Sequence, residues 1–109
     1  MPAVASGRLH LRVAFSRVEG KEVEDAVHEG VVVALSRQEA ALVTETTLDL
    51  LACIRLAWLD VNGDVVPGET YARVLACGNE PGSPMRIRFT SVPDESARFL
   101  ADAIEKRVS

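Results

Sequence analysis

Residues 30–45 constrain the fold of this chain more than any other stretch, because two dense apolar runs flank a short polar insert. The sequence there reads GVVVALSRQEAALVTE, in which VVVAL and AALV are the apolar runs and SRQE is the insert. Short apolar runs of this kind are typical of strands buried in a sheet. We therefore predict a strand, a tight connection and a second strand, both central in a small barrel, with the insert placed where side chains can meet a ligand.

Four further segments are predicted as strands, and in three of them apolar residues alternate with the period of two that is typical of strands. The alternating segments are residues 8–16, 52–59 and 85–90, and the fourth is residues 70–77. Asn62-Gly63, the strongest two-residue hairpin signal in the chain, and Pro67-Gly68 mark turns between strands. The pattern predicts an antiparallel meander of five or six strands.

The end of the chain changes to helical periodicity, and we predict one helix over about residues 93–107. Ser91, with Asp94 three residues on and Pro93 in the first turn, indicates its N-terminus. Apolar residues then recur at helical spacing at Val92, Leu100, Ile104 and Val108. Such a helix has to bury its apolar stripe, and the mouth or side of a small barrel offers the apolar surface.

Composition and charge exclude several classes of protein. A chain of 109 residues with 48% hydrophobic residues forms a single domain over residues 1–109, in which we expect residues 1–7 to be flexible. A net charge of −4 argues against a nucleic-acid-binding protein. The sequence contains no secretory signal and no apolar stretch of about 18 residues that could insert into a membrane, so we expect a cytoplasmic protein. Cys53 and Cys77 are predicted to be buried, reduced thiols.

The catalytic and metal-binding motifs that the chain could be taken to contain are incomplete. Residues 60–64, DVNGD, resemble the start of a calcium loop, but Val65 stands where the turn glycine belongs, so we interpret the segment as a hairpin turn. His10 and His28 lie far apart in sequence among unrelated neighbours, and no acid–base dyad or nucleophile motif surrounds Ser36. We predict no metal site, no catalytic residue and no enzymatic activity.

The first predicted strand carries a pair of arginines with the spacing of an anion site. Arg8, His10 and Arg12 share its polar face, so the two guanidinium groups could converge on one anion. The alternative is a pair of solvated surface arginines. The following segment, residues 17–30, holds five carboxylates around the turn Glu19-Gly20-Lys21, and a solvated acidic hairpin edge explains them.

These features together resemble the PilZ domain family, whose fold is a six-stranded antiparallel barrel with a C-terminal helix. The family has an R-x-x-x-R pair near the N-terminus, matched here by Arg8 and Arg12, and then [DN]-x-S-x-x-G after a strand. In the second motif, residues 34–39 read ALSRQE, and only Ser36 matches. The last strand and helix, MRIRFT followed by SVPDE, are similar to the end of the family's domain. An unrelated small barrel with accidental arginine spacing is the alternative.

The resemblance implies a bacterial receptor for cyclic di-GMP, in which Arg8 and Arg12 would bind phosphate and guanine and Ser36 would add a hydrogen bond. Ala34 cannot accept the hydrogen bonds of the aspartate or asparagine that the motif requires. Glu39 replaces the glycine, and its carboxylate would repel phosphate, while Gln38 is a further changed position. We therefore expect cyclic di-GMP binding to be weak or lost.

The expected function is thus that of a protein-interaction adaptor in cyclic di-GMP-associated signalling, in motility or type IV pilus regulation. The alternative is a working cyclic di-GMP receptor that uses the Arg8/Arg12 pair. The strand face that bears Arg86 and Arg88 and the acidic segment of residues 17–30 are the two candidate surfaces for a protein partner. No other cofactor is expected.

Overall fold

The computed structural model describes residues 10–78 and 82–108, with side chains described as far as residue 105. It contains the strands β1 (Leu11–Glu19), β2 (Glu22–Val23), β3 (His28–Leu35), β4 (Glu39–Val43), β5 (Cys53–Trp58), β6 (Thr70–Ala76) and β7 (Met85–Ser91), followed by the helix α1 (Asp94–Val108). Every pair of neighbouring strands is antiparallel.

Six of the strands form a closed barrel. They pair in the order β1-β3-β4-β7-β6-β5, and β5 returns to β1 to close the ring. The short β2 is an additional strand that pairs with the far end of β1. The prediction of a mainly β protein, with a six-stranded antiparallel barrel and one C-terminal helix, is confirmed.

The core lies inside the barrel and follows from alternation along the strands. On β5 the fully buried residues are Ile54, Leu56 and Trp58, while Cys53, Arg55 and Ala57, which alternate with them, are partly exposed. On β1, Val13 and Phe15 are buried in the same way and pair with Trp58 and Leu56 across the closure. The first strand begins later than predicted, at Leu11, and extends further, to Glu19. Burial of each of these apolar core side chains contributes about 1.5–3 kcal/mol to the stability of the fold.

The stretch of residues 30–45 folds as predicted, since β3 ends at Leu35 and β4 begins at Glu39. Only residues 36–38 connect the two strands, both of which belong to the barrel. Gly30 allows β3 to pack closely against β4: a Cβ atom there would lie 2.8 Å from Leu42 Cδ1 and 3.0 Å from the Val43 carbonyl oxygen. A side chain at this position would displace the end of the Leu42 side chain and crowd the Val43 carbonyl.

The helix packs against the connection between β5 and β6. It begins at Asp94, and the Pro93 carbonyl accepts the Ala97 N–H at 2.8 Å. Ser91 is the last residue of β7, so the expectation that it starts the helix is wrong. Ser96 is fully buried and its hydroxyl donates to the Pro67 carbonyl at 3.2 Å. Leu100 is also buried and belongs to the core.

Both cysteines are free, but neither is buried as predicted: Cys53 is half-buried and Cys77 is exposed. Cys53 occupies an outward position of β5, and Cys77 follows the last residue of β6. For Cys53, apolar neighbours in sequence did not predict burial, because alternate positions of a strand face opposite sides of the sheet. Within the described part of the chain, no helix has the length and apolar character needed to cross a membrane.

Candidate ligand-binding site

Ser36 lies in the tight connection between β3 and β4, and its hydroxyl is used to close that turn. The Ser36 hydroxyl donates to the Glu39 carbonyl at 3.2 Å and accepts the Glu39 N–H at 3.1 Å and the Gln38 N–H at 3.4 Å. The Ser36 N–H also donates to the Glu39 carbonyl, at 2.8 Å. A serine with these bonds is explained by the turn alone, because short polar side chains replace backbone partners in this way.

The side chains next to Ser36 form a small, mostly apolar cavity. It has a volume of about 190 Å³ and is lined by Ala34, Leu35, Ser36, Glu39, Ala40, Ala41 and Arg86. The Glu39 carboxylate stands at this cavity and contacts Arg86 Nε at 3.4 Å. A phosphate entering here would meet a negative charge that already pairs with the nearest arginine.

Arg12 lies at the start of β1 and faces outward. Its guanidinium packs on the Asn62-Gly63 turn, since a Cβ atom on Gly63 would lie 3.0 Å from Arg12 Nη2. Gly63 has a positive φ of 85°, and the Asp60 carboxylate accepts the Asn62 and Asp64 N–H groups at 2.8 and 3.0 Å. The segment is therefore a hairpin turn, as predicted, and it forms one wall of the cleft that contains Arg12.

That cleft is the larger of the two cavities that contain predicted site residues. Its volume is about 1100 Å³, and its lining includes Arg12, Glu29, Thr44, Glu45 and Gly63. Two of these five side chains are carboxylates, so Arg12 does not make the cleft uniformly cationic. His10 is exposed, and Arg8 lies outside the described residues.

Arg12 and Ser36 belong to different cavities. Arg12 pairs with Val31 on β3, and Ser36 follows five residues later, which corresponds to about 16 Å along an extended strand. The cleft at Arg12 does not include Ser36, and the cavity at Ser36 does not include Arg12. Of the motif residues that are described, the fold brings together Ala34, Ser36 and Glu39, and adds Arg86 to them.

The acidic segment after β1 contains a cluster that sequence reasoning missed. Glu24 Oε1 contacts His28 Nε2 at 3.1 Å and Arg17 Nη1 at 3.5 Å. Glu24 Oε2 accepts the Arg17 N–H at 2.6 Å, and Arg17 Nη2 donates to the Thr47 carbonyl at 2.7 Å. The i, i+4 spacing of Glu24 and His28 is visible in the sequence, but it has meaning as a signal only within a helix. The cluster connects the β1–β3 connection to the β4–β5 loop.

The hydrogen bonds of this cluster determine the charge state of Glu24. The N–H of Arg17 lowers the pKa of the Glu24 carboxyl from its ordinary value of 4.5, helped by His28 and by the Arg17 guanidinium. Partial desolvation acts in the opposite direction and is outweighed. Glu24 is thus held as a carboxylate and is a structural anion of the hairpin.

Comparison with known proteins adds no assignment, since no protein-family model, no curated protein and no solved structure matches this chain. Among residues 10–78 and 82–108, no group of three or more His, Cys, Asp or Glu side chains could hold a metal ion. The chemistry available at the sites described is hydrogen bonding and ion pairing by arginine, serine and carboxylate groups.

Proposed function

We propose that this chain is a non-enzymatic, PilZ-like bacterial signalling domain that acts in the cytoplasm as a protein-interaction adaptor. Its pathway is one associated with cyclic di-GMP, such as motility or type IV pilus regulation. In this proposal the nucleotide itself is bound weakly or not at all, and the barrel serves as a scaffold for a protein partner.

The arrangement around Ser36 is the observation that supports this proposal. The Ser36 hydroxyl already makes three hydrogen bonds within its own turn, and Glu39 is one of the residues that line the adjoining cavity. A nucleotide phosphate would have to compete with the turn and approach a like charge. Each missing hydrogen bond to a charged group costs about 1.5–3 kcal/mol, and every 1.4 kcal/mol is about tenfold in affinity.

A second candidate, a functional cyclic di-GMP receptor, is favoured by the exposure of Arg12. Arg12 lies in an open cleft of about 1100 Å³, which is large enough for a nucleotide, and arginine suits both phosphate and guanine. Arg8 is the partner that this reading requires, and it is outside the described residues. The two candidates therefore differ in one measurable property, the affinity for cyclic di-GMP.

Titration calorimetry with cyclic di-GMP at micromolar protein distinguishes the two candidates. We expect no heat of binding for the wild-type chain and measurable binding for the double variant Ala34→Asp with Glu39→Gly, which restores the motif. Adding Arg12→Ala or Arg8→Ala to that double variant is expected to abolish the gained binding. Micromolar binding by the wild-type chain that is lost in Arg12→Ala would establish a cyclic di-GMP receptor. It would refute the proposal that the chain has lost nucleotide binding.

A pull-down from the bacterial source tests the adaptor role directly. We expect the immobilised wild-type chain to recover a protein partner with or without added cyclic di-GMP. Failure to recover a partner, together with clear nucleotide binding, would contradict the proposal.

A further inference from the structure

Pairing of the strands places four arginines on the outer face of β5, β6 and β7. The sequence alone showed only two of them, Arg86 and Arg88, on one strand. We call this surface the arginine face; it consists of Arg55, Arg73, Arg86 and Arg88. Arg73 is at its centre, because it pairs in register with Cys53 on one side and with Arg88 on the other. Arg88 in turn pairs in register with Glu39 on β4.

The central pair, Arg73 and Arg88, is arranged unfavourably for the isolated protein. Residues directly opposite on antiparallel strands have Cβ atoms about 4.5–5.5 Å apart, and like charges there are destabilising. Arg55 pairs with Glu69 at 3.5 Å and Arg86 with Glu39 at 3.4 Å. Within the described residues, neither Arg73 nor Arg88 forms an ion pair, and Arg73 Nη2 donates a hydrogen bond to the Cys53 thiol at 3.5 Å.

The arginine face is also opposite in sign to the rest of the molecule. The chain has a net charge of −4, yet this face presents four arginines and the two carboxylates that pair with them, a local charge of +2. The remainder of the chain therefore carries −6. Half of that charge, a net −3, lies on residues 17–30, where five carboxylates outnumber Arg17 and Lys21.

We propose that the arginine face is a docking surface for an acidic, extended segment of a protein partner; this deepens, and rests on, the adaptor function proposed above. Each guanidinium presents a planar fork of N–H donors that matches a carboxylate. Alternate carboxylates of an extended segment lie about 6.6–6.8 Å apart on one face, which is also the repeat of Arg86 and Arg88 along β7. The partner's charge removes the repulsion between Arg73 and Arg88.

A protein segment fits this surface better than other polyanions. A nucleic acid or an anionic membrane extends well beyond four arginines and would also approach the rest of the chain, whose net charge is −6. A short acidic segment is confined to the face and avoids that repulsion. The ion pair between Arg55 Nη1 and Glu69 Oε1 at 3.5 Å is the type of contact that a partner's carboxylates would make with the other arginines.

Fluorescence anisotropy with a labelled oligoglutamate peptide tests this proposal on the full chain. We expect saturable binding that weakens as salt is raised, and a loss of at least about tenfold, equal to about 1.4 kcal/mol, in the double variant Arg73→Gln with Arg88→Gln. The matched control, Lys21→Gln with Arg98→Gln, removes the same charge outside the face, and we expect less than about a twofold change. Equal losses in both variants would show nonspecific attraction and refute the site.

Three further probes exclude other occupants of the face. Tighter binding of a short duplex DNA or of phosphatidylserine vesicles than of the peptide, lost in Arg73→Gln with Arg88→Gln, would overturn the assignment to a protein segment. Sedimentation of the wild-type chain is expected to show a monomer. Salt-sensitive self-association that the same double variant abolishes would mean that a second copy occupies the face.

Thermal unfolding separates docking from a structural role. If the arginines existed to hold the barrel together, the double variant would melt below the wild type, whereas we expect an equal or higher midpoint. The pull-down distinguishes the two proposals: a partner retained by the double variant would overturn the arginine face and leave the adaptor function intact. Peptide binding at the face with no recovered partner would contradict the adaptor function alone.

Discussion

Ser36 shows at the level of one residue how a motif position can have a purely structural role. It matches a ligand-binding serine in the sequence, but its hydroxyl bonds two backbone N–H groups and one carbonyl of its own turn. The residues that would have distinguished the two roles are Ala34 and Glu39, and both differ from the ligand-binding pattern.

We expect Ser36→Ala to lower the free energy of unfolding by about 1 kcal/mol, because the turn loses its side-chain partner. Urea unfolding followed by circular dichroism measures this change. Ser91→Ala, at an exposed position at the end of β7, is the control and should leave stability within about 0.5 kcal/mol of the wild type. A Ser36→Ala variant as stable as this control would show that the hydroxyl is not needed by the turn.

We expect Glu24 to make the stability of the fold depend on pH. Its pKa is lower in the folded chain than its ordinary value of 4.5, so its contribution to stability is present above that value and is lost as pH falls through the folded pKa. We expect Glu24→Gln to flatten the decline in thermal midpoint as the pH falls below 4.5. Glu22→Gln, in the same hairpin, should keep the wild-type profile, and an unchanged profile in Glu24→Gln would refute the assignment.

At the level of elements, the attachment of α1 depends on close contact between the β5–β6 connection and the first turn of the helix. Gly68 has a positive φ of 99°, and a Cβ atom there would lie 3.0 Å from Pro93 Cβ and 3.1 Å from Ser96 Oγ. Ser96 is fully buried and bonds the Pro67 carbonyl. Sequence periodicity identified the helix, but this contact comes from residues that are far apart in the chain.

We expect Gly68→Ala to destabilise the fold by more than the backbone strain alone, which costs about 1–3 kcal/mol. The steric contact with Pro93 and Ser96 should add about 1–3 kcal/mol as the helix shifts. Gly82→Ala is a matched control, since Gly82 also has a positive φ, of 81°, but no atom lies within 4 Å of the added Cβ. Equal losses of stability in the two variants would show that the helix contact is not close.

At the scale of the whole molecule, charge is separated between the arginine face and the acidic remainder. This separation should make stability depend on salt, because the Debye length falls from about 30 Å at 0.01 M to about 3 Å at 1 M. Screening weakens the repulsion between Arg73 and Arg88, so we expect the thermal midpoint of the wild type to rise with salt more than that of Arg73→Gln. Lys21→Gln should respond like the wild type; identical responses in all three would mean that the arginine pair does not repel.

Local patterns in the sequence predicted most of the strands, the turns and the helix. Alternation along residues 52–59 and 85–90, the turn at Asn62-Gly63 and the break between Leu35 and Glu39 are local signals. They predicted strands and turns because a strand places alternate side chains on opposite faces whatever its partners are. The same local character explains the errors at Cys53 and Ser91, where the position within or beyond a strand decides the outcome.

The contacts between side chains, in contrast, depend on the tertiary structure. Arg73 faces Arg88, Arg17 reaches Glu24 and Thr47, and Arg12 lies apart from Ser36, all through pairings between segments separated in sequence. Register is set by burial of the whole core at once, since a shift of one residue would turn every apolar side chain of a strand outward. A single sequence shows the period of a strand but not its partner, so Arg86 and Arg88 could be assigned to one strand face, whereas their proximity to Arg73 and Arg55 could not be predicted.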